Sequence, residues 1–566
     1  MKTIYKFSIA IIASMLCMLT SCEILDVEPK YTMSPDNFYQ SETELIYGLT
    51  GVYGAINTEP MYGNFYSLMI SNMDDLCYQS RARSGSQVYF YTHTSSDSNI
   101  YRTWSMLYAG VKNANEYLSA IENSDLDADK LYHSEARFLR AFYYFLLSQA
   151  WGDVPLRTTA ATSPSDVMMA ATPQEEILLW CVAEMEDCLN YITETDIEVV
   201  PFRVTRTTIQ GMLARVYLFL AGESVDGIAD KDAMWGKAAK YAFDVIESDK
   251  HRLNDNYEDV FINMIGDKTD VAFRESMWEA EFLGTHSSTS WSNGRIGDLI
   301  GLSSTSSDNN YSEWNCNYST AWYNGSLRLW DLYWSEDRTA DEAEATMSDI
   351  APVMDSRQEW NLPYYNYNGS TSLNLEKSYD KTPYGYNGSY SNVDKFTAVS
   401  SRNAGKFRRE VEYEGQMSAK ELYTGINFPI LRYADVLLMY AEAINESEGD
   451  VSTAYDYVKM VRDRAGIATL AKGDYDKESM RELIRNERGR ELAFEAIRKY
   501  DLIRWGIFES EMKKYADWAA DDRWKLDATA ARVSETAAAI QSKHIYLPIP
   551  SIELGVNKLL KQNSMW

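Results

Sequence analysis

Trp291, Asn293 and Arg295 lie within one eight-residue stretch, SWSNGRIG, and Tyr311 and Trp314 stand beside Asn309, Asn310 and Asn315 in NNYSEWNCN. Trp and Tyr rings offer flat, rigid contact area at low entropic cost, while amide and guanidinium groups supply directional hydrogen bonds. Together they suit a ligand with an apolar face and a polar rim. A pyranose is one such ligand, with C–H groups on its face and hydroxyls around it, and a peptide backbone could use the same groups. Trp322 joins the set because it too sits among Ser, Asn and Gly, where no amphipathic face exists to bury it. Seven of the fifteen tryptophans fall between Trp278 and Trp360, which makes this region too aromatic for a disordered linker. Trp330 and Trp334, four apart in LRLWDLYW, are expected on the core side of a short helix.

Other reactive residues point to structure rather than catalysis. In NERGRELAFE, Glu487, Arg488, Arg490 and Glu491 put both signs of charge on several faces of one helix, so an ion-pair network locking that helix to its neighbours is expected. Asp74 and Asp75, and the trio Asp125, Asp127 and Asp129, lack the glycine and terminal glutamate of a calcium-binding EF-hand loop. The chain contains no GxSxG, HExxH, phosphate-loop or dinucleotide fingerprint, and His93, His133, His251, His286 and His544 are isolated from one another. Cys77, Cys181, Cys188 and Cys316 include no CxxC pair. Cys181 and Cys188 fall on one helix face about 10 Å apart along its axis, too far for a bridge, and read as small core residues. Neither metal nor cofactor is expected, and the chain reads as a binding protein rather than an enzyme.

The elements that must position these residues are mostly helices. Apolar residues recur at three- and four-residue intervals over Trp104–Ile121, Leu131–Gln149, Thr172–Ile192, Thr207–Leu220, Met234–Ile246, Ala434–Asn445, Val451–Ala465 and Lys477–Lys499. Ser41 and Glu44 are spaced as a capping box that opens an earlier helix. GMLARVYLFLAG followed by MWGKAAKYAFDVIES, and DVLLMYAEAINESEGD followed by VSTAYDYVKMVRDRAG, each read as a helical hairpin. Ala214, Ala239, Ala242, Ala441, Ala443 and Ala454 stand where the helices must approach closely. The pairs resemble tetratricopeptide repeats, whose hairpins stack because none can bury its apolar face alone; generic helical hairpins would leave the same all-α scaffold. Between the helical blocks, residues 284–390 are rich in Ser, Asn, Gly, Thr and aromatics and are expected to be mostly loop.

At the N-terminus, Lys2 and Lys6 precede about a dozen mostly apolar residues, the proportions of a secretory signal and too short for a bilayer span. Leu19-Thr20-Ser21-Cys22 resembles a lipobox, after which residues 1–21 are removed and Cys22 is acylated. Each buried methylene of a lipid contributes about 0.8 kcal/mol, so several acyl chains hold a protein on a membrane without a spanning helix. Formal net charge is −29, and loss of the signal removes two lysines and no acid. Such an acidic body repels a phosphate backbone, and nucleic acid is not an expected partner.

Six motifs in order resemble the SusD/RagB family of outer-membrane nutrient-binding lipoproteins: SPDNFYQSETELIYGLTGVYGAI (34–56), EARFLRAFYYFLLSQAWGDVPL (135–156), NFPILRYADVLLMYAEAINE (427–446), VRDRAGI (461–467), LIRNERGRELAFEAIRKYDLIRWG (483–506) and YLPIPSIELGVNKLLKQNSMW (546–566). The resemblance implies a mainly α, tetratricopeptide-like helical-hairpin scaffold carrying a large irregular, loop-rich ligand-binding region. It divides the chain into a signal peptide (1–21), a lipidated N-terminus and linker (22–35), an N-terminal helical region (36–260), the ligand-binding region (261–425) and a C-terminal region (426–566). It also implies a lipid anchor at Cys22 on the outer face of the outer membrane, glycan capture, and a SusC-like TonB-dependent transporter for which the protein is the lid. Glu23, Asp26 and Glu28 are similar to the acidic export signal of such lipoproteins, though interrupted by Ile24, Leu25 and Val27. Family sites pair the aromatic region with an N-terminal loop, here DDLCYQSRARSGSQVYFYTH, adding Tyr78, Arg81, Arg83, Tyr89 and Tyr91 to the candidates. Some relatives serve peptide transporters, so a peptide-binding lid is the alternative, followed by a helical-repeat scaffold whose only partner is another protein.

Overall fold

Helices of the N-terminal half begin where a short polar side chain can satisfy free backbone N–H groups. The computed structural model describes residues 38–80, 87–122, 124–127, 130–193, 200–283, 292–303, 319–334, 355–363, 365–367, 381–383, 402–409, 412, 422–447, 449–467, 471–520 and 529–566. Helix α1 (Glu42–Tyr53) starts at Ser41, whose Oγ accepts the Glu44 N–H at 3.3 Å, while the Glu44 carboxylate accepts the Gln40 N–H at 2.9 Å. Asp97 caps α2 (Ser98–Ile121). The Asp127 carboxylate receives the Tyr132 and His133 N–H groups at the start of α3 (Leu131–Trp151). Helix α4 (Gln174–Cys188) follows; Thr205 caps α5 (Arg206–Ala221) and Asp230 caps α6 (Lys231–Glu247). At Gly110 a Cβ would lie 2.6 Å from the Tyr143 ring, so glycine lets α2 and α3 close on each other.

The second half adds α7 (Tyr257–Ile265), α8 (Leu327–Trp334), α9 (Ser356–Asn361), α10 (Tyr433–Ser447), α11 (Val451–Arg464), α12 (Lys477–Leu492) and α13 (Arg498–Arg504), with shorter helices to the C-terminus. The α5–α6 and α10–α11 hairpins stack through α6 against α10. Ala214, Ala242, Ala441, Ala443 and Ala454 are fully buried in the common core, and Ala239 packs against it. The fold is mainly α, as expected. Strands among the described residues are short antiparallel pairs: β1 (Cys77–Gln79) with β3 (Tyr323–Gly325), β2 (Ser276–Ala280) with β6 (Phe428–Arg432), and β4 (Tyr365–Tyr367) with β5 (Lys381–Pro383).

One helix expectation is corrected. Lys477–Lys499 is not continuous but breaks after Leu492, with Phe494 at φ 67° and Ala496 at φ 62° in left-handed conformation. Each such residue costs about 1–2 kcal/mol. Tertiary contacts hold the break in place. The Asn72 side chain accepts the Ala496 N–H at 3.0 Å and donates to the Phe494 carbonyl at 3.3 Å, and Glu495 faces Arg432 and Lys406. Helical propensity yields here to a buried polar network.

Candidate ligand-binding site

Three distant parts of the chain meet where the aromatic loops leave the scaffold. Beyond β1, the Ser80 N–H and Oγ donate to the Trp322 carbonyl at 2.7 and 3.0 Å, so the first loop leaves beside the residue that leads into β3. At Gly63 a Cβ would lie 2.6 Å from the Asn293 carbonyl oxygen, and the Arg295 N–H donates to the Gly63 carbonyl at 2.8 Å. No side chain larger than hydrogen fits that crossing. The Thr424 N–H donates to the Gly294 carbonyl at 2.8 Å and ties in the stretch that precedes β6.

Arg295 is the hub. Asp298, fully buried, accepts the Thr320 N–H and hydroxyl on one oxygen at 3.0 and 2.7 Å, and Arg295 Nη2 and Nε on the other at 2.6 and 3.1 Å. That saturated carboxylate fixes the guanidinium over the Trp322 ring, 5.7 Å from its centroid, within cation–π range. Arg295 Nη1 has no hydrogen-bond partner among the described residues. Tyr89 packs edge-on to Trp322 at 6.4 Å, and Trp322 itself is only partly covered. The Tyr423 hydroxyl reaches Glu59 at a long 3.5 Å, and Asn64 donates to the same carboxylate at 3.3 Å. Burial raises the Tyr423 pKa, Glu59 adds to the rise, and Arg295 and Arg102 oppose it, so the phenol remains a proton donor. Exposed Arg102 lies against Phe65, 4.7 Å from its centroid. The patch therefore offers an indole face, a phenol, guanidinium donors and one carboxylate, which can stack on a ring and bond its hydroxyls.

Of the sequence candidates, the structure brings Asn293, Arg295, Trp322 and Tyr89 together. Tyr89 and Asn293 are buried beneath the patch, and Tyr78 and Tyr91 are buried away from it. Tyr78 Oη accepts from Asn324 at 2.9 Å, and the Tyr91 hydroxyl donates to the Met73 carbonyl while its ring meets His544 and Phe508. These two hold the base of the N-terminal loop. Trp291, Tyr311, Trp314, Arg81 and Arg83 lie outside the described residues, as do Cys22 and the N-terminal acids. Glu59, Arg102 and Tyr423 escaped the sequence reading because none stands in an aromatic, Asn-rich stretch. Glu59 and Tyr423 are 364 residues apart in the chain, and no local pattern announces the meeting.

The ion-pair network and the buried cysteines and tryptophans fare as expected. Glu487 pairs with Arg357 at 2.6 Å and with Arg462 and Arg490 at 3.1 Å; Arg488 bridges Asp435 at 2.7 Å and Asp501 at 2.8 Å. Asp75 holds Arg498 at 2.8 Å, which accounts for one of the carboxylate pairs that invite a calcium reading. Cys181 and Cys188 are buried and donate to the Ala141 and Ser134 carbonyls. Trp278 is a core residue, 4.6 Å from Phe142, and Trp330 is buried as expected. Among the described residues no group of three His, Cys, Asp or Glu is placed to hold a metal, and no helix is long and apolar enough to cross a membrane.

Known proteins carry the same sequence and fold pattern. Residues 274–566 match a family model described as the SusD family, and residues 23–218 match one described as starch-binding and associating with the outer membrane. SusD-like protein P2 of Formosa agariphila is 25% identical over 516 residues, covering 88% of this chain and 90% of that protein. The crystal structure of a SusD homolog from Bacteroides thetaiotaomicron matches with a TM-score of 0.78 at 24% identity, over 94% of this chain and 98% of that one. A laminarin-binding SusD-like protein matches with a TM-score of 0.66 at 19% identity, over 93% of this chain and 100% of that one.

Proposed function

The chain belongs to the SusD family, and on that premise we propose that it is a non-catalytic cell-surface lipoprotein that captures oligosaccharide or polysaccharide for import. In this reading Cys22 carries the lipid, the tetratricopeptide-like helical scaffold faces a SusC-like TonB-dependent transporter, and the protein serves as that transporter's lid. Glycan binds at the patch centred on Arg295. Trp322 stacks on a sugar face, Arg295 and Tyr423 bond the rim, and buried Asn293 supports the strand of chain that carries Arg295. Trp291, Tyr311, Trp314, Arg81 and Arg83 belong to segments that leave and rejoin the described chain beside this patch, and they complete the site.

One observation supports this placement above the others. A partly exposed indole carries a guanidinium fixed by a saturated buried carboxylate, so both are set before a ligand arrives and binding orders little. The test is calorimetric titration of residues 23–566, without lipid, against panels of neutral oligosaccharides and of peptides. Binding by at least one oligosaccharide, weakened in Trp322→Ala and Arg295→Gln with the melting temperature held, is the expected result. Binding of peptides alone would transfer the site to a peptide-import lid, and wild-type affinity in both variants would remove the patch from the site.

A further inference from the structure

His93 and His544, isolated from each other in the sequence, meet in the fold. Both are buried, with ring centroids 5.5 Å apart, and the C-terminal Trp566 packs on both, 5.1 Å from His93 and 5.4 Å from His544. Tyr91, in left-handed conformation at φ 54°, completes the cluster 5.2 Å from His544 and 6.3 Å from His93. Hydrogen bonds run beside the same contact: the Ser551 N–H donates to the Ser95 carbonyl at 2.8 Å, and Trp566 Nε1 donates to the Tyr546 carbonyl at 3.0 Å. His544 Nδ1 accepts the Gln541 N–H at 3.0 Å, so a neutral His544 carries its proton on Nε2. Neither ring nitrogen of His93 is bonded among the described residues. A buried polar group without a partner costs stability, so packing alone would favour an apolar ring at this position.

The charges that act on this pair are cations. Lys499 of α13 lies 5.4 Å from the Tyr91 centroid and 5.9 Å from that of Phe508, and Lys543 lies 4.2 Å from the Trp566 centroid. Acids of the surrounding elements are engaged elsewhere or exposed. Asp74 acts on Lys499, Asp97 caps α2, Glu509 and Glu511 pair with Lys513 and Lys514, and Glu535, Lys558 and Lys561 are exposed. Arg532 lines a small gap beside Tyr91, and the Trp566 terminal carboxylate makes no ion pair among the described residues. Burial above all, then His544 and the two lysines, holds His93 well below the ordinary histidine range; burial and the same lysines push His544 down to about 3. A proton on either ring meets no counter-charge. We propose that His93, His544, Tyr91 and Trp566 form an acid-opened clasp, in which protonation of the histidines frees the C-terminal end from residues 91–95 and so loosens the base of the N-terminal loop. Tyr89, two residues before Tyr91, packs on Trp322, so opening reaches the glycan patch. The clasp does not depend on which ligand that patch takes. Once open, each histidine titrates near its ordinary value of about 6.5. The closed form thus binds fewer protons, and its advantage, complete well above that value, is lost as pH falls through it.

The test is amide hydrogen exchange on residues 23–566 without ligand, at pH 7.5 and 5.5, corrected for the intrinsic pH dependence of exchange. Opening should rise about ten-fold over that interval for each histidine, and so up to about a hundred-fold, in peptides from 87–97 and 540–566. Peptides from the core of α3 should keep their protection. His93→Phe, which loses no hydrogen bond, should remove about ten-fold of the rise while leaving protection at pH 7.5 intact or improved. His93→Phe with His544→Asn, whose side-chain oxygen can still accept the Gln541 N–H, should abolish the rise. Wild-type protection that is the same at both pH values would overturn the clasp without any variant. A rise shared equally by α3 would make it global unfolding, and a full rise in His93→Phe would take it away from this histidine; either result overturns the proposal. Because no ligand is present, failure here is distinct from failure of the glycan reading.

Discussion

Arginine meets an aromatic ring both in the core of this protein and at the rim of its candidate site, in opposite company. In the core, Arg432 is fully buried 5.2 Å from the Phe261 centroid and donates to Glu275, Glu491 and Glu495 at 2.7–3.1 Å. Glu491 is shared in turn with Arg464 at 2.6 Å and Arg357 at 3.0 Å. At the rim, Arg295 lies over Trp322 with one carboxylate, Asp298, and keeps Nη1 unbonded among the described residues. The residue types are the same; what differs is how many donors the protein fills from within. A filled set holds the fold, and a part-filled one near solvent has donors left for a ligand.

The largest effect should come from breaking the filled set. Glu491→Gln leaves three buried guanidinium groups short of charge, and loss of a buried partner costs about 3–5 kcal/mol. Urea unfolding should show that drop, and the protein that remains folded should bind glycan at wild-type affinity. Arg490→Ala should act the same way more weakly, since it removes donors to the Leu332 carbonyl at 2.7 Å and to Glu487 at 3.1 Å. If either variant kept its melting temperature and lost binding, the core network would be functional and the comparison would collapse.

Acid comes next. The arginines overcome burial and hold Glu487, Glu491, Asp435 and Glu442 below the usual carboxylate range. A carboxylate whose pKa is lower when folded contributes stability above its unfolded pKa and loses it as pH falls toward the folded value. Unfolding free energy should therefore decline as pH drops below about 4.5, followed by denaturant titration at stepped pH. Replacing Arg357 by Met should blunt that decline, because its carboxylate partners would titrate nearer their ordinary values.

At the rim the effects should be smaller and should fall on affinity. Trp322→Ala removes a stacking face, and about 1–2 kcal/mol is expected, a loss of roughly five- to thirty-fold in affinity. Calorimetric titration checks the loss, and a thermal melt checks that the fold is kept. A melt shifted as far as that of Glu491→Gln would place Trp322 with the core residues.

The same division explains what could be read in the sequence. Most of the helices were legible, because burying one face of α2 or α6 imposes a 3.6-residue repeat that no other element produces. The ion network was legible in kind, since charges on several faces of one helix must find partners, but not in its partners: Arg357 and Arg432 come from elements far away in the chain. The break after Leu492 was invisible, as two left-handed residues without glycine are held by Asn72 from the other end of the chain. The rim was half legible. Trp322 and Arg295 stood out because aromatics in a Ser/Asn/Gly stretch have no face to hide on. Tyr423 carried no such mark, and Tyr91, in the aromatic N-terminal loop, is buried against His544 and Phe508.

Tyr423→Phe gives the finest cut between the two regions. Its hydroxyl reaches Glu59 only at 3.5 Å, beyond a good hydrogen bond, and Glu59 already accepts from Asn64. Deleting the oxygen should leave stability unchanged, because no short bond is lost and no deeply buried acceptor is orphaned. The ring stays for stacking. If the hydroxyl bonds a ligand, affinity should fall by about 0.5–1.5 kcal/mol, a few-fold to roughly ten-fold. Contrast that with the Tyr333 hydroxyl, buried in the core, which donates to the Arg490 carbonyl and accepts from Asn361, both at 2.7 Å. Tyr333→Phe should lower the melting temperature and leave affinity alone. Tyrosine hydroxyls would then divide as the arginines do, by whether the protein or its ligand completes their bonds. A pair of variants that moved both readouts together would show that burial and saturation do not separate fold from site in this chain.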